Sequence, residues 1–304
     1  MNSTLRLSTF FCVLFLAISC NKSVDANQET ILKGKATLLV DATLMPVMED
    51  QVQIFESRYD ATIGINAQSE TEVIQSLVKD TSSIAVLSRK LNADEMKIFA
   101  NRKIIPKITP IALDAVALIT NSNSNDTLVD IKAVIDFMNG KPSPKIKGLV
   151  FDNANSSTVR YMNKLAGLTT IPQKGVFSFG TNNEVIKFVS QNEGMIGVVG
   201  LNWLTQPKPE MQAYVDKVVA LSLKGHNQND FFAPDQNNIA EGKYALAREI
   251  YIVNCQGFSG LGMGFASFVA GDIGQRIILK SGLLPYKVPP RKLSIRNQIN
   301  NDKK

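Results

Sequence analysis

ATLLVDATLMPVMEDQVQIFESRY, residues 36–59, decides the fold. Residues 36–40 read as a short strand. Asp41-Ala42-Thr43-Leu44-Met45 then makes a polar-to-apolar turn, and Pro46 opens a helix, where a missing N–H does no harm. Met48, Val52, Phe55 and Tyr59 follow at helical spacing, so the segment is one strand–turn–helix unit.

The same unit repeats outward along the chain. Residues 62–65 are β-like. Ser69-Glu70-Thr71-Glu72 has the S-x-x-E form of a capping box, with Val73, Ile74 and Leu77 on one face behind it. Residues 84–87 are a short apolar strand, and Asn92-Ala93-Asp94-Glu95 starts another helix. This βαβαβ order predicts an α/β fold with mainly parallel sheets.

Residues 111–120, IALDAVALIT, form a long apolar strand, and a second series follows. Its pattern predicts helices over 127–139, 156–165 and 183–190, with strands over 148–151 and 195–199; Trp203 lies just beyond. Residues 205–243, rich in Pro, Asn, Gln and Lys, read as loop. A last long strand covers 246–253, then a Gly-rich turn and a helix over about 265–281. Two series with a late return strand predict two lobes, 34–115 with 250–290 and 116–249. Two crossovers near 115 and 249 would form a hinge, and the cleft between the lobes would close on a ligand.

The chain has 304 residues, 44% hydrophobic and 20% charged, which fits a globular protein. Residues 1–20, MNSTLRLSTFFCVLFLAISC, have a basic start, a short apolar core and a small-residue end, the pattern of an export signal. Leu16-Ala17-Ile18-Ser19-Cys20 resembles a bacterial lipoprotein signal, in which Cys20 is lipidated and becomes the first residue. Residues 21–33 read as a flexible tether and 291–304 as a polar tail. Each buried acyl CH₂ contributes ~0.8 kcal/mol, so several chains hold such a protein at a membrane without a spanning helix.

The net charge is +6, and loss of Arg6 with the signal lowers it by one. No Lys/Arg block suggests nucleic acid. With Cys12 and Cys20 accounted for, Cys255 has no disulfide partner and reads as a buried structural thiol. His226 is the only histidine, so no Cys/His metal site can be assembled, and no cofactor is expected.

In α/β folds, ligands sit beyond the carboxyl ends of strands, where helix N-termini offer free N–H groups and partial positive charge. FDNANSS, residues 151–157, stands at such a junction, as do Asp41–Pro46, Glu70-Thr71 and Ser88-Arg89. Here the chain resembles the periplasmic phosphate-binding proteins that serve ABC-type phosphate importers, over about residues 34–286. Residues 39–46 resemble the family's first anion-contacting turn, and IAVLSRKL (84–91) its "S-R-P-L/I" turn. Pro110 and the strand after it also match. Residues 181–203 resemble its helix and "G-x-I-G-Y" hairpin, here Gly194-Met195-Ile196-Gly197-Val198. Residues 248–253 resemble the return strand, and 268–285 the closing helix ending "G-x-x-P".

The resemblance implies a two-lobed, type II periplasmic-binding-protein-like fold, not an enzyme. It implies a monomer, lipid-anchored in the periplasm of a bacterial cell envelope, that hands its ligand to an ABC permease. It also implies that Thr43, the Leu44 backbone N–H, Ser88, Arg89, Ser156, Ser157 and Thr158 donate hydrogen bonds to phosphate or a similar oxyanion.

Two departures stand out. The family's "R-x-x-x-S-G-T" motif begins with Arg where this chain has Asp152, and Ser157 replaces its Gly. Glu70 lies in a turn that the family keeps Gly/Ser-rich. Two carboxylates beside a desolvated dianion are costly. Arg89 and Arg160 are expected to offset one each. The alternative is an envelope interaction protein that kept the fold and lost or changed its ligand. Other motifs fail: Gly260-Leu261-Gly262-Met263-Gly264 does not complete G-x-G-x-x-G, Ser76-Leu77-Val78-Lys79 lies late in a helix, and His226 sits in a polar loop far from any nucleophile pattern.

Overall fold

The computed structural model describes residues 29–288; the signal, most of the tether, Cys20 and the polar tail lie outside them. The first half contains β1 (Lys33–Asp41), α1 (Met45–Glu56), β2 (Asp60–Gln68), α2 (Glu70–Lys79), β3 (Ile84–Leu87) and α3 (Ala93–Asn101). The long β4 (Lys107–Asn121) leads into the second half. There follow β5 (Leu128–Asp130), α4 (Ile131–Met138), β6 (Gly148–Phe151), α5 (Ser157–Ala166), β7 (Val176–Ser178), α6 (Asn182–Gln191) and β8 (Met195–Gly200). After β9 (Val218–Ala220) and β10 (Ser222–Lys224), β11 (Ala247–Asn254) returns the chain to the first half, which closes with α7 (Leu261–Ala270), α8 (Asp272–Lys280) and β12 (Leu284–Pro285).

The strand order is β2-β1-β3-β11-β4-β8-β6-β7, with β9 and β12 also on β4. Each wing is parallel: β2, β1 and β3 on one side, β8, β6 and β7 on the other. The two long connecting strands supply the antiparallel centre. Residues 107–115 of β4 pair with β11, and Val116–Ile119 pair with β8. One strand therefore belongs to both halves, and β11 lies beside it from Ala247 onward.

Alternation along β1 sets the layers. Leu38 and Val40 enter the main core with Phe55, whereas Leu39 joins Val73, Leu77, Leu87 and Phe99 under α2 and α3. Both sheet faces are covered, as a parallel wing requires. Capping boxes start α2 (Ser69 with Glu72) and α3 (Asn92 with Glu95), where the sequence places them. Cys255 is buried, and burial pushes its thiol up to about 12. His226 is exposed.

Four expectations change. Residues 128–130 form β5, because they pair with β10 nearly a hundred residues on; Asp130 then caps α4 by accepting from Lys132 N at 2.8 Å. The helix over 265–281 is two helices, broken at Gly271, and the first starts earlier, at Leu261. Gly262 and Gly264, read as part of a turn, lie within α7 instead: a Cβ on Gly264 would stand 1.6 Å from the Ile31 carbonyl oxygen, so the glycine admits that backbone. Met195–Gly200 is no hairpin, since its neighbours are β4 and β6. The stretch read as loop also holds β9, β10 and short helical turns such as Gln212–Val215 and Gln236–Ala240.

Candidate functional site

The site is built where β1 and β6 end, with β11 lying between them in the sheet. A 3-10 turn, Ala42–Leu44, follows β1. Asp41 fixes it by accepting from Thr43 N (3.1 Å) and Thr43 Oγ1 (3.0 Å). Leu44, fully buried, is the N-cap of α1. Across the cleft, Ser157 is the first residue of α5, and its Oγ lies 3.0 Å from Thr43 Oγ1. With Thr43's hydrogen on Asp41, Ser157 is the donor of that pair.

Arg248, on β11, joins the two hydroxyls. It donates from Nη1 to Ser157 Oγ (2.8 Å) and from Nη2 to Thr43 Oγ1 (3.0 Å). Its Nε and Nη2 also donate to Asp114 Oδ2 at 3.0 and 2.8 Å. Asp114 is its partner across the β11–β4 ladder. All these groups are buried. Burial opposes the charge on Arg248, but Asp114 and Asp41 outweigh it and hold its pKa above the ordinary range. Burial pushes Asp41 up to about 6 against the pull of Arg248, with Glu70 adding to the rise. Asp114 is raised by burial too, despite Arg248. Asp41 Oδ2 has no hydrogen-bond partner.

Ser88 and Arg89 do not reach this hub. They converge on Glu70: Ser88 Oγ donates to Oε2 (3.2 Å) and Arg89 Nε to Oε1 (2.6 Å). Arg89 also forks onto Glu95, Nη1 to Oε2 and Nη2 to Oε1, both at 2.7 Å. These bonds outweigh burial and hold the Glu95 pKa below its ordinary value. Arg160, from the other half, donates from Nη2 to Glu70 Oε2 at 2.7 Å. The expected sharing of cations is thus corrected: Arg89, from the same half, and Arg160, from across the cleft, both serve Glu70.

Asp152 is satisfied by neutral donors instead. Its Oδ1 accepts from Ser156 Oγ (2.6 Å) and Thr158 Oγ1 (2.7 Å), and its Oδ2 from Asn182 Nδ2 (3.0 Å). Ser156 also caps α5 through Val159 N. Burial pushes the Asp152 carboxyl up. Of the expected donors, then, Thr43 and Ser157 meet, Ser156 and Thr158 hold Asp152, and Ser88 and Arg89 hold Glu70.

Asp41, Asp114, Asn182 and Arg248 were not singled out from the sequence. A signal existed for one of them: Asp114 is the one charge in the apolar run 108–120, and such charges are rarely buried unpaired.

Beside the hub lies a cavity of about 300 Å³ between the halves. Residues at the N-termini of four helices line it: Met45 of α1, Ser69 before α2, Ser156 before α5 and Thr181 before α6. Such ends present free N–H groups. The halves meet at its edge, where Asn202 Nδ2 (3.1 Å) and Trp203 Nε1 (3.0 Å) donate to the Thr43 carbonyl. Gly200 permits that approach, since a Cβ there would stand 2.8 Å from the same oxygen. Among the described residues, no group of His, Cys, Asp and Glu could hold a metal ion, and no helix is long and apolar enough to cross a membrane.

Comparison with known proteins places this geometry in context. Residues 25–272 match the PBP superfamily domain. A structure from Clostridium perfringens, described as a phosphate ABC transporter substrate-binding protein with bound phosphate, is 21% identical with a TM-score of 0.70. The match covers 84% of this chain and all of that one. An ABC-type phosphate transport receptor from Vibrio cholerae is 18% identical with a TM-score of 0.61, over 83% of this chain and all of that one. At such identities the likeness establishes the fold. Phosphate-binding protein PstS 2 of Streptococcus pneumoniae is 24% identical over 131 residues, and the match spans 41% of this chain and 43% of that relative's length. A domain match over most of the chain, on a two-lobed α/β fold with its polar cluster at the cleft, leads to one conclusion: the chain belongs to the PBP superfamily.

Proposed function

We propose that the protein is a solute receptor of the bacterial cell envelope that closes its two lobes on phosphate or a similar oxyanion and delivers it to an ABC permease. The observation that carries this reading is the convergence of Arg248, Thr43 and Ser157: one buried guanidinium donates to a hydroxyl from each half. An oxyanion entering there would exchange the hydroxyl–hydroxyl bond for charge-assisted ones. Asp41, with a free Oδ2 and a pKa near 6, favours a ligand that still carries a proton. The lobes would hinge where β4 changes partner after Ala115 and where β11 begins. The phosphate-binding relatives support the ligand class.

Calorimetric titration of the purified protein with orthophosphate tests this. Micromolar binding is expected, with Ser157→Ala weakening it by roughly 10- to 100-fold, the range for one hydrogen bond to a charged group. A second reading, an envelope interaction protein without a small ligand, is favoured by the commitment of Arg89 and Arg160 to Glu70. No heat at millimolar phosphate would select it.

Anchoring through lipidated Cys20 belongs to the same proposal. Cys20→Ser should move the protein from the membrane to the soluble fraction, and unchanged partitioning would remove the anchor from the account.

A further inference from the structure

Glu70 joins the two halves much as an anionic ligand would. Its side chain is 2% exposed, and its carboxylate gathers donors from both sides of the cleft. From its own half come Ser88 Oγ to Oε2 (3.2 Å) and Arg89 Nε to Oε1 (2.6 Å). From the other half, Arg160 Nη2 donates to Oε2 at 2.7 Å, and its Nε lies 2.6 Å from Oε1. Two guanidinium groups and a hydroxyl around one pair of oxygens form a donor set that suits a small oxyanion. Here a side chain of the protein fills it.

These bonds are built so that one side can release. The Ser69–Glu72 capping box fixes the start of α2, where Glu70 stands. When the halves part, Glu70 keeps Arg89 and Ser88, so the buried carboxylate is not stripped of its cation, which is the costly outcome. Arg89 is itself held by two bonds to Glu95. Arg160 is the member that lets go: its side chain is 37% exposed, and water can take up its charge. By contrast, Lys208 and Glu49, which also join the halves, are 51% and 34% exposed, and pairs of that kind contribute little.

Entry to the hub depends on that release. Arg248, Thr43 and Ser157 are all buried, so an anion reaches them only when the halves separate. Glu70 is also near enough for its charge to act on the hub, where it adds to the rise of Asp41.

We propose that Glu70 is a built-in anion that latches the two halves through Arg160, keeps the free protein closed and must be released before a solute enters. The latch goes beyond the oxyanion reading, and only its effect on affinity rests on that reading. If about one molecule in ten stands open at rest, apparent affinity is about tenfold weaker than that of the open form. The Glu in a turn that the resembling family keeps Gly/Ser-rich then has a role: it sets how readily the cleft opens.

Small-angle X-ray scattering of the purified protein with and without orthophosphate, combined with calorimetry, tests the latch. The parent should show the same radius of gyration in both conditions. Glu70→Gln keeps the size of the side chain and removes its charge. Arg160→Gln cuts the same bond from its more exposed side, where the fold depends on it least. Both variants should expand in the absence of phosphate. Glu70→Gln should contract again when phosphate is added and bind it about tenfold or more tightly than the parent. A parent that contracts on phosphate is open at rest, which overturns the latch and leaves the oxyanion reading intact. Variants as compact as the parent overturn the latch too, as does equal phosphate affinity in the parent and Glu70→Gln. Expansion of both variants with no heat at millimolar phosphate from any form supports the latch and removes the oxyanion reading.

Discussion

Arg248→Ala is expected to lose about 3–5 kcal/mol of folding stability, the range for stripping one partner from a buried ion pair. Arg248 and Asp114 are 6% and 0% exposed, and they face each other across neighbouring strands. Without the guanidinium, Asp114 keeps its charge with no cation beside it, and Thr43 and Ser157 each lose a donor. Urea unfolding at pH 7 measures the loss, and a deficit under about 1 kcal/mol would show that the pair is not the buried linchpin described.

The pH dependence of that deficit has a definite sign. Asp41 and Asp114 are both raised in the folded state. A carboxyl raised on folding contributes stability that is complete below its unfolded pKa and lost as pH rises through the folded one. For Asp41 in the intact protein this window runs from 3.8 to about 6. Removing Arg248 takes away the attraction that held both values down, so both rise further. The variant should therefore recover part of its deficit as pH falls from 7 to 5; a deficit that grows on acidification contradicts the account. Replacing both partners, Arg248→Met with Asp114→Leu, should restore much of the stability without restoring the oxyanion binding proposed above, which separates folding from recognition.

Phe55→Ala should cost a similar amount, about 3–5 kcal/mol, for a different reason: it opens a cavity in the main core. Phe55 is fully buried, with its ring 5.4 Å from Phe265 and 5.2 Å from Phe268 in edge-on contacts and 4.8 Å from Tyr59. These rings clamp α1 against α7. In a chain of this size the loss corresponds to a fall in Tm of roughly 10 °C. Phe55→Leu refills most of the space and should cost clearly less. Because Phe55 touches neither the hub nor the cavity, ligand binding measured well below the lowered Tm should persist. A variant as stable as the parent would mean that the core closes around the missing ring.

Some of the site was legible in the chain. The resemblance implies that Thr43 and Ser157 face one ligand, and their two hydroxyls lie 3.0 Å apart. Ser156 was expected as a ligand donor, but its hydroxyl lies on Asp152 and on the helix it caps. Glu70 was marked as a problem charge, yet its two arginines come from opposite halves. Neither the motif nor the helix pattern gives the distance across the cleft.

What the sequence determined by itself is what acts over a few residues. The strand–turn–helix units, the capping boxes at Ser69 and Asn92, and Pro46 in the first turn of α1 all depend on hydrogen bonds and side-chain spacing within four positions. Only the tertiary structure decided which charges compensate which. Asp114 and Arg248 lie 134 residues apart and Thr43 and Ser157 lie 114 apart; they meet because β4 serves both halves and β11 returns beside it. Burial makes each of those pairings strong, and burial is a property of the assembled sheet, not of any segment.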